Sequence, residues 1–149
     1  MIKKTLSLAT GVMLFGWSLF ALAQNATQIP GYTIHHNAMT TDTLTPQVAK
    51  AYNIQRSKNR GMLNVSVIKE LPGTTGVPVK AKVTATATNL TGQSRDIEMR
   101  EVLDGDAVYY LADFRVTNQE TLDFKLDIQP DGASSHFQAS LRQQFFFAE

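Results

Sequence analysis

From Met62 onward, polar and apolar residues alternate with a period of two, the signature of half-buried strands. Leu63, Val65 and Val67 share one face of Met62–Lys69. Val79, Ala81, Val83, Ala85 and Ala87 alternate with Lys80, Lys82, Thr84, Thr86 and Thr88, and this is the cleanest run in the chain. Ile97, Met99 and Leu103 mark another strand, and Ala107 to Val116 is rich in Val, Tyr and Phe. Leu122, Phe124, Leu126 and Ile128 alternate with Thr121, Asp123, Lys125 and Asp127. Phe137, Ala139, Leu141, Phe145 and Phe147 close the pattern, with Phe146 on the opposite face. Turn residues separate the runs at Pro72–Gly76, Asn89–Gly92, Asp104–Asp106 and Pro130–Gly132.

Upstream the pattern is mixed. Gln24 to Pro30 is polar and reads as frayed. Gly31 to His36 alternates, placing Tyr32, Ile34 and His36 on one face of a first strand. Thr45 suits an N-cap and Pro46 a first helical position. Val48, Ala51 and Tyr52 then share one side of a helix of about two turns.

About seven strands with turns every 8–12 residues predict a mostly β chain. The expected fold is a single antiparallel, immunoglobulin-like β-sandwich with one short N-terminal helix. The absence of long helical patterns between strands argues against a parallel α/β sheet. The small Ala81, Ala85 and Ala87 suggest closely approaching sheets, with Phe124, Phe137 and Phe145 opposite.

The first residues follow a different logic. Lys3 and Lys4 precede an uncharged, largely apolar stretch from Leu6 to Leu22, and Ala21-Leu22-Ala23 has small residues where a signal peptidase needs them. The stretch is somewhat short for a membrane span. The expectation is a signal peptide over 1–23, cleaved after Ala23, and a single domain over 24–149 in the periplasm without stable membrane insertion. The chain of 149 residues less 23 leaves 126, enough for one core. The formal net charge of +1 becomes −1 without Lys3 and Lys4. A nearly neutral domain is not expected to bind nucleic acid. With 0 Cys, disulfides, thiolate nucleophiles and cysteine zinc sites are excluded.

Candidate chemistry is sparse. His35 and His36 are neighbours in a predicted strand and point to opposite faces, so they do not readily share a metal; His136 lies far along the chain. No G-x-S-x-G, G-x-G-x-x-G or P-loop occurs. An enzyme is not expected, nor is a cofactor or metal. A metal-binding or hydrolytic protein using the histidines is the rival reading. A structural or chaperone-like partner acting through an edge strand is another, since a terminal strand offers a free edge. The exposed-side Phe146 is expected to be covered within the chain by the Thr45–Tyr52 helix.

One stretch stands out. Arg56, Lys58 and Arg60 concentrate positive charge immediately before a strand. In an extended segment they would share a face. Arg56 or Arg60 could instead pin the loop to a carboxylate such as Asp42 or Glu101. As a docking patch the three cations, flanked by Tyr52 and Tyr32, would meet an acidic periplasmic protein or a carboxylate ligand.

Gly31-Tyr32, His36-Asn37-Ala38, Leu44, Pro46, Ala49, Tyr52-Asn53-Ile54, Arg56-Ser57-Lys58 and Asn64-Val65-Ser66-Val67 together resemble a family of small exported proteins of Gram-negative bacteria. Thr88 to Gly92 and Arg142-Gln143-Gln144-Phe145 extend the resemblance over essentially the whole predicted domain. The family has no assigned function. The resemblance implies export and a compact β-rich domain, and it transfers no catalytic residue.

Overall fold

In the computed structural model, which describes residues 25–148, the alternating runs form two antiparallel sheets packed face to face. The strands are β1 (Ala26–Ile29), β2 (Tyr32–Thr40), β3 (Arg60–Lys69), β4 (Val77–Val79), β5 (Ala81–Asn89), β6 (Ser94–Ile97), β7 (Arg100–Asp104), β8 (Ala107–Arg115), β9 (Thr121–Pro130) and β10 (Phe137–Gln144). Between β2 and β3 lie a 3-10 turn (Thr41–Thr43) and, among the described residues, the one α-helix, α1 (Pro46–Ala51). The larger sheet has the order β1-β2-β3-β8-β7, and β4 pairs with the end of β3 that β8 leaves free. The smaller sheet has the order β10-β9-β5-β6. The expected antiparallel sandwich with one short helix is the fold. The predicted signal peptide lies outside the described residues.

The core follows from the alternation. Ile34 on β2, Leu63, Val65 and Val67 on β3, and Leu122, Phe124, Leu126 and Ile128 on β9 are shut off from solvent. Burying each large apolar side chain contributes roughly 1.5–3 kcal/mol. The sheets are joined at one end by a ring cluster, with Phe114 of β8 5.5 Å from Phe124 and 6.0 Å from Phe145 between centroids. Gly61 makes room for it, because a Cβ there would stand 2.6 Å from a Phe114 ring carbon and 3.0 Å from Phe145.

Four expectations need correction. The polar segment before Pro30 is not frayed: β1 pairs with β2 from Ala26↔His35 to Ile29↔Tyr32, around a turn in which Gly31 has φ 82°. The alternation from Val79 to Ala87 is not one strand. It leaves the large sheet after Val79 and enters the small sheet at Ala81, whose N–H donates to the Tyr110 hydroxyl at 2.7 Å. Both inner faces serve the same core, so inside–outside parity survives a change of sheet. Ile97 and Leu103 are likewise divided, between β6 and β7. Finally, Phe124 is not across from the alanines but beside them, paired with Ala87 in the same sheet.

Candidate functional site

The segment between β2 and β3 lies on the outer face of the large sheet. Thr45 caps α1 by accepting the Val48 N–H at 3.3 Å. The face turned to the sheet is that of Ala49, and not the predicted Val48 and Ala51, which are exposed. The helix stops at Asn53, which takes a left-handed φ of 54°. Asn is among the few non-glycine residues that do so at modest cost. The Asn53 N–H donates to the Lys50 carbonyl at 3.2 Å and the Ile54 N–H to that of Ala49 at 2.8 Å, a Schellman stop. Ile54 then buries itself with Met62 and Leu111, joined by Met39, Leu44, Tyr52, Val102 and Tyr109. This second apolar cluster seals half of the outer sheet face.

Tyr52 is fastened to the same face. Its ring meets Tyr109 edge-on at 6.3 Å, its hydroxyl donates to Asp104 at 2.9 Å, and its carbonyl accepts from Arg100. The bond to the Asp104 carboxylate raises the phenol above its ordinary range. Thr41, fully buried, holds the following loop: its hydroxyl donates to the Gln55 carbonyl at 2.8 Å and accepts the Ser57 N–H at 2.9 Å.

Each of the three predicted cations has an internal partner. Arg56 donates to the backbone carbonyl of Asp42 at 3.0 Å, rather than to its carboxylate. Lys58 reaches the Ala148 carbonyl at 2.8 Å and so ties the C-terminal segment to the loop. Arg60, the first residue of β3, pairs with Asp113 of β8 through two of its nitrogens, not with Asp42 or Glu101. That ion pair is about a quarter exposed on each side. The loop is irregular between Ile54 and Arg60, so the cations do not form the single row that an extended segment would give.

The structure adds two cations that sequence reasoning passed over. Arg115 lies directly opposite Arg60 in the β3–β8 register. Its side chain is exposed and makes no ion pair with a described residue. Arg95 stacks 5.5 Å over Phe114 and donates to the Arg115 carbonyl at 2.8 Å. Between loop and strand is a notch of about 120 Å³ lined by Gln55, Ser57, Asn59, Arg60 and Arg115. Phe146, 63% exposed and not covered by α1 as expected, follows at the same end, beside the segment that Lys58 holds. The spacing of Arg60 and Arg115 carries no sequence signal, because only the strand register brings them together.

Tyr32 does not belong to this end. It pairs with Lys69, at the other end of β3 from Arg60. Eight register steps of about 3.4 Å separate it from the Thr40↔Gly61 pair.

The histidines also stay apart. His36 faces inward, 6% exposed, with Nε2 3.0 Å from the Thr27 hydroxyl, whereas His35 is exposed on the other face. Burial lowers the His36 pKa from 6.5; a bond to its own backbone opposes this, and the neighbouring His35 adds to it. His136 pairs with Asp127 of the small sheet at 2.8 Å. Among the described residues no three His, Asp or Glu side chains gather as a metal site.

Residues 26–148 match the model of a domain of unknown function, DUF4426, and the chain belongs to that family. A crystal structure of a DUF4426 family protein from Pseudomonas aeruginosa PAO1 is 31% identical, with a TM-score of 0.70, over 83% of this chain and 95% of that one. FetP of uropathogenic Escherichia coli strain F11, recombinantly expressed in the periplasm, shares the fold at 11% identity and a TM-score of 0.58, over 81% of this chain and 92% of its own. A copper-bound variant of FetP matches similarly, at 12% identity and a TM-score of 0.56, over 80% of this chain and 93% of its own. No curated protein matches the chain.

Proposed function

We propose that this DUF4426 chain is an exported, non-enzymatic binding module that meets an acidic partner through the cationic end of its sandwich. The observation that carries the reading is Arg115, set directly opposite Arg60 with only Asp113 to neutralise the pair. Like charges directly opposite in a ladder are unfavourable. A carboxylate from outside would relieve that and complete a two-arginine notch suited to bidentate contacts. Exposed Arg56 and Lys58 extend the positive surface, and Phe146 offers an apolar contact beside it. Arg56, Lys58, Arg60 and Arg115 are the contact residues; Tyr52, held by Tyr109 and Asp104 six or more positions along the sheet from Arg115, stands apart from them.

Export rests on the Lys3-Lys4, apolar and Ala21-Leu22-Ala23 pattern at the N-terminus. The periplasm as destination is consistent with where FetP was produced. Copper in a FetP variant is not carried over, since identity of 12% conveys the fold alone.

The test is an NMR titration with a glutamate-rich peptide. The reading expects saturable amide shifts confined to residues 55–60, 113–117 and 145–148, weakening as salt rises. Absence of shifts, or shifts centred elsewhere, would overturn it. The edge-strand reading has one observation in its favour: β10 forms the outer edge of the small sheet over eight residues. Concentration-dependent dimerisation that a Ser140→Pro change abolishes would support it.

A further inference from the structure

The half of the large sheet's outer face that the α1 segment leaves open is a trough. One cavity of about 280 Å³ is lined by Asn25, His35, His36, Asn37, Asn64 and Ser66. A second, of about 620 Å³, also includes His35 and continues past Thr33 and Ile68 to Glu70 and the loop of Leu71 to Gly76. The two adjoin at His35. Together they run along β3 from Asn64 and just past its end to Glu70, six steps or roughly 20 Å.

The lining has unused hydrogen-bonding capacity. Among the described residues, one buried side-chain atom on this outer face lacks a partner: Asn64 Oδ1. Asn64 lines the smaller cavity. A buried polar atom left unpaired costs about 1–3 kcal/mol, so its presence on the wall of a depression points to a ligand. Asn37 sits directly across from Asn64, and Ser66 across from His35, and none of these side chains makes a hydrogen bond to another described residue. No lysine or arginine lines either cavity. The one carboxylate, Glu70, accepts from Thr33 at 3.0 Å and disfavours an anion.

We propose that this trough is a binding site for a neutral saccharide, with Asn37, Asn64, His35 and Ser66 contacting its hydroxyls and Ile68, Leu71 and Pro72 meeting its C–H surface. Amide, imidazole and hydroxyl groups both donate and accept, which matches hydroxyls that do the same. An extended peptide is the weaker fit. It binds sheets through free strand edges, and the β2 and β3 backbones beneath the trough are paired to each other. The combined size lies within the range of small-ligand sites. This site is at the other end of β3 from the cationic notch and stands independently of it.

The experiment is a titration of the isotopically labelled protein with maltotetraose, cellotetraose and chitotetraose at millimolar concentration, followed by NMR. At least one is expected to shift the side-chain amides of Asn37 and Asn64 and the backbone of His35, Ser66 and Thr75 saturably. Asn37→Ala and Asn64→Leu should each weaken that binding about tenfold, which corresponds to ~1.4 kcal/mol. Asn64→Leu should not lower the melting temperature, since its acceptor has no internal partner, and Asn37→Ala repeats the test at a half-exposed site. No saturable shift with any of the three saccharides overturns the proposal. So does a trough that answers only to a neutral tetra-alanine peptide.

Discussion

The hydroxyl of Thr41 and the amide of Ser57, 2.9 Å apart, join the end of β2 to the loop before β3 and hold the Gln55–Asn59 segment against the sheet. Thr41 has no exposed surface, so nothing from solvent can replace its two bonds. Thr41→Val keeps the shape and removes both, leaving the Ser57 N–H and the Gln55 carbonyl unsatisfied. The expected loss is about 1–3 kcal/mol, or several degrees in midpoint at roughly 3–5 °C per kcal/mol for a domain of this size. Thr41→Ser should recover most of it. Thermal unfolding followed by circular dichroism decides the matter.

The cations of the loop divide into two kinds. Arg60 and Asp113 are largely shielded and doubly bonded, whereas Arg56 and Lys58 are exposed and bond only to carbonyls. Arg60→Gln should cost about 1–3 kcal/mol, between the values for exposed and buried pairs. Arg56→Gln and Lys58→Gln should each cost less than about 0.5 kcal/mol. A variant with all three changed is therefore expected to melt close to the Arg60→Gln single variant. If the three contribute equally, the division is wrong.

Period-two alternation gave the core positions of β3, β5 and β9, because burial on one face leaves a direct mark. It could not say which sheet a run joins, and so the switch at Lys80 was invisible. The Asn53-Ile54 pair was a legible signal, an αL-tolerant residue followed by a large apolar one, that the helix ends there and folds back. The opposition of Arg60 and Arg115 was not legible, since 55 positions separate them and register alone joins them. Tyr32 was grouped with the cations by residue type, while the antiparallel pairing of β2 and β3 sends it to the far end.

Gly61 is a packing requirement rather than a hinge. Gly61→Ala would press its Cβ against the Phe114 and Phe145 rings. Those rings are buried and cannot swing away cheaply, so about 1–3 kcal/mol should be lost. Adding Phe114→Leu should restore part of the loss, a coupling that a double-mutant cycle by urea unfolding measures.

His36 gives stability a pH dependence of known sign. Its folded pKa lies below the unfolded value of 6.5, so below that pH the unfolded chain binds a proton that the folded chain refuses. The contribution is complete above pH 6.5 and is lost as pH falls from there toward the folded pKa. His36→Asn should flatten the stability profile over that window. Asp123, whose carboxyl is held low by Arg142, acts only at lower pH, below its ordinary 3.8. Urea midpoints measured between pH 5 and pH 8 separate the two.

The central claim is that Arg56, Lys58 and Arg115 are surplus to the fold and serve an acidic partner. The most direct measurement is fluorescence anisotropy of a labelled glutamate-rich peptide against the protein and its Arg56→Gln, Lys58→Gln, Arg115→Gln variant, with the melting point of both recorded. The account predicts salt-sensitive binding that the variant loses at an unchanged melting point. Equal binding by the two proteins would contradict it, as would a fall in melting point as large as that of Arg60→Gln.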